Sequence, residues 1–217
     1  MTISHHLDDV TLVAYAAGTL GEAHSVVVAT HVAMCATCRS AVRTAEALGG
    51  SILAEQEASA VTDTCRAATL ASLDGTLPSV KPVRRVQFSD VPLPLCNLLG
   101  NQPLKNLKWK TKAPGIAKVD IGLSPGSKTH LQLLRIGQGR SMPEHGHGGE
   151  ELTLVLRGSY TDHTGTYRAG DVADLDEEIE HQPKVDSDED CICLVATEAP
   201  TRFKSIWARL AQPFIGI

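Results

Sequence analysis

"GRSMPEHGHGGEELTLVLRG", residues 139–158, opens and closes on glycine and sets two histidines and a glutamate ahead of an apolar run. Side chains two apart in extended chain point to one side, so His145 and His147 face a common centre. Gly146, Gly148 and Gly149 allow a turn tight enough to bring Glu151 to that centre. Glu150, one position off, is assigned to solvent. Imidazole and carboxylate donors gathered this way form a metal-ligand set.

The chain around this stretch has the texture of β structure. "HLQLLRI" (130–136), "ELTLVLRGSY" (151–160) and "CICLVAT" (191–197) are short apolar runs separated by Gly, Pro and Asp turns, as in an antiparallel sandwich or barrel. A later stretch, "YRAGDVADLDEEIEHQP" (167–183), turns at Gly170–Asp171 and returns a histidine, His181. Gly139-x5-His145-x-His147-x3-Glu151-x6-Gly158 resembles the first motif of the cupin family, and the later stretch its looser second motif. The resemblance implies a β-barrel with His145, His147, Glu151 and His181 as ligands. The competing reading is a metal-free barrel with polar turn residues. The donor set accepts zinc, iron, manganese, nickel or copper.

Upstream the texture changes. Pro78, Pro82, Pro92 and Pro94 fall among Lys81, Arg84 and Arg85, so residues 78–92 read as a linker. Residues 1–77 read as helical: Asp8–Ala17 with Leu12, Val13, Ala16 and Ala17 on one face and Gly18 as a stop, then Glu22–Met34, Cys38–Leu48 ending at Gly49–Gly50, and about Val61–Leu73. The expected class is therefore α+β in two domains, a small helical bundle (1–77) followed by a β-barrel (93–217). A core of Ala, Val and Leu in under 80 residues is marginal and needs a staple.

"HVAMCATCRS" (31–40) supplies one. His31, Cys35 and Cys38 return to one side of a helix and give three donors for tetrahedral zinc. His5, His6 and His24 are candidates for the fourth, with His6 favoured because it precedes the first helix. A redox dithiol or buried structural cysteines are the alternatives, but a redox Cys-x-x-Cys usually follows a strand, and here a helical pattern leads in.

Charge separates the two parts. Residues 1–77 carry three basic and eight acidic residues, and residues 78–217 carry seventeen of each. The net charge of −5 thus resides in the helical part, which argues against direct nucleic-acid binding and for a basic protein partner. No apolar run reaches the ~18 residues of a membrane span, and the N-terminus lacks a secretory leader's apolar stretch. A cytoplasmic protein is expected, with cysteines serving metal or redox chemistry.

His6 followed by His31-x-x-x-Cys35-x-x-Cys38, with "AYAAGTL" (14–20) and "VVATH" (27–31), resembles the zinc-binding anti-sigma domain of ChrR-type anti-sigma factors. "CICLVAT" and "RLAQPFIGI" (209–217) extend the likeness to the C-terminus. The resemblance implies zinc on His6, His31, Cys35 and Cys38, and zinc or another divalent transition metal in the barrel. It also implies a sigma factor of the extracytoplasmic-function group as partner, and release under singlet oxygen or a related oxidant. A cupin dioxygenase or isomerase with a regulatory helical domain is the rival reading, and a zinc-dependent scaffold for another partner a second. Cys191 and Cys193 read as buried small hydrophobes or as thiols near the barrel metal, and Cys65 and Cys96 as structural. His24, His130 and His163 read as surface or packing residues, and "DLDEEIE" (174–180) as a solvated edge.

Overall fold

The computed structural model describes residues 2–74, 90–146, 148–175, 179–199 and, for the backbone, 202–203. Helices α1 (Asp9–Ala16), α2 (Glu22–Met34), α3 (Ala36–Ala54), α4 (Asp63–Leu73) and the short α5 (Leu93–Cys96) come first. Strands follow: β1 (Lys110–Ala113), β2 (Ile116–Ile121), β3 (His130–Ile136), β4 (His145–Gly146), β5 (Glu151–Arg157) and β6 (Ser159–Asp162). The rest are β7 (Gly165–Arg168), β8 (Val172–Leu175), β9 (Lys184–Val185), β10 (Cys191–Thr197) and β11 (Arg202–Phe203). A six-stranded antiparallel sheet in the order β1-β2-β3-β10-β5-β8 packs against the smaller sheet β7-β6-β9, and β11 pairs with β4.

The period of two sorts β10 onto two cores. Cys191, Cys193 and Val195 point into the barrel with Leu134, Val155 and Tyr160. Ile192, Leu194 and Ala196 point outward and are buried with Leu133, Leu152 and Leu154 beneath Val27 and Val28 of α2. The large sheet is therefore covered on both faces. Each Leu or Val so buried contributes about 1.5–3 kcal/mol, which makes the outer face a substantial interface. Polar ties add to it. Thr129 Oγ1 accepts from Ala23 N (3.1 Å), and Glu22 accepts from Ser124 N (3.0 Å) at the start of α2.

The helices start where side chains supply the missing acceptors. Asp8 caps α1 through Thr11 N (2.6 Å), and Thr62 caps α4 through Cys65 N (3.2 Å). Several expectations are corrected. The helix over Cys38–Leu48 does not stop at Gly49–Gly50 but runs on to Ala54. A glycine costs only about 1 kcal/mol against alanine in a helix, and neither adopts the positive φ that would end one. On α1 only Leu12 is buried, while Val10 (77% exposed) and Val13 (56%) lie on the uncovered flank with Ala17. No residue of α4 is buried, so Cys65 on it is not structural. Cys96 is buried, as expected. Within 78–92, residues 78–89 lie outside the described residues, and Val91 is buried.

Candidate metal centres

The first centre lies where three pieces of chain meet: the segment before α1, the end of α2 and the start of α3. Donor atoms of His6, His31, Cys35 and Cys38 all lie within 4.8 Å of one another. His6 Nδ1 is 3.3 Å from Cys35 Sγ and 3.6 Å from Cys38 Sγ, and His31 Nε2 is 3.2 Å from Cys38 Sγ. Nitrogen and sulfur ligands on one tetrahedral zinc are about 3.6 Å apart, so the cluster can hold a metal ion. His31 Nδ1 donates to the Gly170 carbonyl at 3.0 Å, which leaves the Nε2 lone pair facing the thiols. Burial brings the His31 pKa down to about 4 and pushes the Cys38 thiol up to about 11. The imidazole is therefore neutral, as a ligand must be.

The Gly170 carbonyl belongs to the turn between β7 and β8, so the barrel orients a ligand of the helical centre. Gly170 sits at φ +96°, and a Cβ there would lie 2.8 Å from Ile3. Only glycine permits both. His5, the adjacent candidate, is not in the cluster and packs against Tyr167 with ring centroids 4.3 Å apart and planes tilted by 35°. His24 is buried with Nε2 3.3 Å from the Glu150 carbonyl, a packing role.

The second centre lines a cavity of about 40 Å3, room for a few waters, inside the barrel. His145 and His181 face each other as an antiparallel backbone pair, with Nε2 atoms 3.1 Å apart. His145 Nδ1 donates to the Pro143 carbonyl and His181 Nδ1 to Asp162 Oδ2, both at 2.8 Å. Both Nε2 lone pairs therefore converge, the arrangement a cation needs. Burial raises the Asp162 pKa, but hydrogen bonds from His181 and Thr164 outweigh it and bring the carboxyl down to about 2. Glu151 lines the same cavity and accepts from Thr153 Oγ1 at 3.0 Å. His147 lies outside the described residues. Glu150 is exposed, as expected.

Cys191 and Cys193 are buried with sulfurs 3.6 Å apart, and Cys193 lines the cavity. The hydrogen bond to Cys191, with burial, holds the Cys193 thiol well above the ordinary range. The "DLDEEIE" stretch begins on β8, an edge strand of the large sheet, and residues 176–178 lie outside the described residues. Asp162, Gly170 and Asp171, which hold the histidines in place, were not singled out as positioning residues from sequence. The "RAGD" turn signal located the last two without showing what they grip.

Asp162→Asn is expected to weaken barrel metal binding about 10- to 100-fold, since the group orienting His181 loses its charge. Competition with a chromogenic chelator measures it.

No single described helix is long and apolar enough to cross a membrane. Residues 102–200 match the family model described as the ChrR cupin-like domain. Over 217 residues, all of both chains, the protein is 42% identical to "Anti-sigma-E factor ChrR" of Cereibacter sphaeroides. The crystal structure of Rhodobacter sphaeroides SigE in complex with the anti-sigma ChrR matches with TM-score 0.79 and 39% identity, covering 90% of this chain and 100% of that one. A donor cluster where α2 meets α3, two converging histidines inside the barrel and identity running end to end agree with one another, and the chain belongs to the ChrR family of anti-sigma factors.

Proposed function

We propose that this protein sequesters a sigma factor of the extracytoplasmic-function group and releases it under oxidative stress sensed in the barrel. In this reading residues 1–77 capture the sigma factor, 78–92 link, and 93–217 receive the signal as a sensor rather than an enzyme. The observation that carries it is the full-length identity to ChrR together with the match to ChrR in its complex with SigE. We infer a cytoplasmic location from partnership with a sigma factor.

The surface supports the reading. Past Ala45 no residue of α3 is buried, and Leu48, Ile52 and Leu53 are 55–73% exposed. Leu70 and Leu73 of α4 are exposed as well. Such an arm of uncovered leucines, set among Glu46, Glu55, Glu57 and Asp63, suits a partner with an apolar groove and a basic rim.

Zinc is assigned to His6, His31, Cys35 and Cys38, because two thiolates and two imidazoles suit it. Zinc or another divalent transition metal is assigned to His145, His147, Glu151 and His181. The signal is assigned to singlet oxygen or a related oxidant, which attacks histidine and thiol side chains and so disturbs the barrel centre.

Co-expression of the full chain with an extracytoplasmic-function sigma factor from its own genome is the test. A one-to-one complex is expected, and no complex with any such sigma factor would overturn the reading. Leu48→Asp with Ile52→Asp is expected to weaken that complex about 30-fold or more, the scale of lost interface anchors. Melting temperature and metal content should stay unchanged, because both residues face solvent. His145→Ala or Glu151→Ala should keep the complex and blunt its release by oxidant.

A further inference from the structure

Met142 lines the barrel cavity beside His145, His181 and Cys193, and the proposed function leaves it unused. The space it borders, about 40 Å3, holds a diatomic molecule next to a water. The sequence has two other methionines: Met34 ends α2 beside the Gly170 turn, and Met1 lies outside the described residues. A thioether sulfur keeps its lone pairs at every pH, whereas a cysteine reacts as the thiolate. The hydrogen bond to Cys191, with burial, holds Cys193 as the thiol. Met142 is thus the reactive sulfur of the cavity wall.

Its backbone belongs to the seam that joins the two histidine-bearing segments. Met142 N donates to the Pro183 carbonyl at 2.9 Å, and Val185 N to the Arg140 carbonyl at 2.9 Å. Between these, His145 and His181 exchange N–H···O bonds of 3.1 and 2.9 Å. The Met142 side chain is 3% exposed and packs in the barrel core, with Leu134 and Ile136 on the same cavity wall. Sulfoxide formation makes that side chain polar and larger. The added oxygen is set against an apolar wall, which disfavours the packed position and pushes on the chain that carries His145.

We propose that Met142 is a site of oxidative modification: singlet oxygen converts its thioether to the sulfoxide, which opens the seam and parts His145 from His181. The oxidant is the one assigned above, so the switch rests on that reading. Singlet oxygen first bonds to sulfur as a persulfoxide. A cavity water then adds to the sulfur, and the S–OO bond breaks. Water's oxygen stays on sulfur and its two protons leave on hydrogen peroxide. Sulfur loses the two electrons that dioxygen gains. Dedicated reductases return methionine sulfoxide to the thioether, so the switch can be reset.

The test exposes the full-length chain, free of sigma factor, to singlet oxygen from an illuminated sensitiser, with azide-quenched samples as reference. Peptide mass spectrometry should find Met142 heavier by about 16 Da, one oxygen, before His145 or His181 changes. Amide exchange at His145 and His181 should then rise about tenfold or more as the seam opens. Met142→Leu, close in volume and without sulfur, should fold normally and show no such rise at the same dose. Both readouts use the free chain, so they stand or fall separately from sigma-factor capture. In the sigma-factor complex the same variant should slow oxidant-driven release several-fold. Met142 left unoxidised while the seam loosens, or exchange unmoved by the sulfoxide, would overturn the proposal. Release at the wild-type rate from Met142→Leu would overturn its part in signalling.

Discussion

Replacing Cys35 and Cys38 together by serine is expected to remove one equivalent of metal per chain and abolish sigma-factor capture. Serine hydroxyls are poor replacements for thiolates, so two of four donors are lost from a cluster now within 4.8 Å. The consequence for the fold follows from how little else holds α1 and α3. Leu12 is the only buried residue of α1, and Cys38 and Val42 are the only ones of α3. Burying Leu12 and Val42 contributes about 1.5–3 kcal/mol each. Structural zinc in zinc-finger peptides is worth about 10–16 kcal/mol, so with zinc in the proposed site the metal term would dominate. By contrast α2 is fixed by Ala23, Val27 and Val28 against the sheet whether or not metal is present. The double variant should therefore keep a folded barrel with α2 docked, while α1 and α3 lose amide-exchange protection. Metal analysis, co-purification with the sigma factor and hydrogen exchange by element test the three parts. Undiminished metal content would refute the ligand assignment.

Much of this architecture was legible because ligand spacing and strand period are local. The strands at 130–136 and 191–197 fall where the apolar runs place them, and α2 spans Glu22–Met34 as its pattern predicts. The docking of helices on the sheet had a local trace too. A strand with one wet face alternates apolar and polar residues, whereas "CICLVAT" is apolar on both faces because Cys193 faces the cavity and Leu194 faces the helices. What holds the centres was not legible, since the partners are distant in sequence. Asp162 grips His181 across 19 positions, and Gly170 orients His31 across 139. Spacing says which residues could ligate. It does not say which carbonyl or carboxylate selects their tautomer. The Gly49–Gly50 misreading has another origin: glycine permits a helix end but compels none.

Asp171→Ala is expected to destabilise the protein by roughly 3–5 kcal/mol, because three backbone amides lose their acceptor and each buried unmet donor costs about 1–3 kcal/mol. The Asp171 carboxylate is 1% exposed and accepts from Ser4 N (2.7 Å), His5 N (3.0 Å) and Arg168 N (2.8 Å), with Ser4 Oγ also in reach at 3.3 Å. Burial pushes its pKa up, but the amides of Arg168, His5 and Ser4, with His5 nearby, outweigh that and hold it below the ordinary 3.8. A depressed carboxyl stabilises the fold above its unfolded pKa, so this contribution is present at neutral pH and fades as pH falls through the folded value. Alanine leaves three amides without their acceptor and should lower the melting temperature by roughly 10 °C for a chain of this size. The informative effect is local. Ser4 and His5 lead directly to His6, and Gly170, the neighbour of Asp171, orients His31, so one turn of the barrel sets both histidines of the helical centre. His5 also packs against Tyr167, and Tyr167 stacks on Tyr160 in the barrel cavity. Asp171→Ala should therefore speed metal release from the helical centre at least tenfold, the scale of a lost orienting group, and leave release from the barrel centre unchanged. Asp171→Asn, which keeps one acceptor oxygen, should fall between. Chelator-driven release at 25 °C, well below either melting temperature, separates positioning from general loss of stability. A lowered melting temperature with wild-type release from the helical centre would reduce Asp171 to a structural clamp and send the search for coupling to the outer face of the sheet under α2.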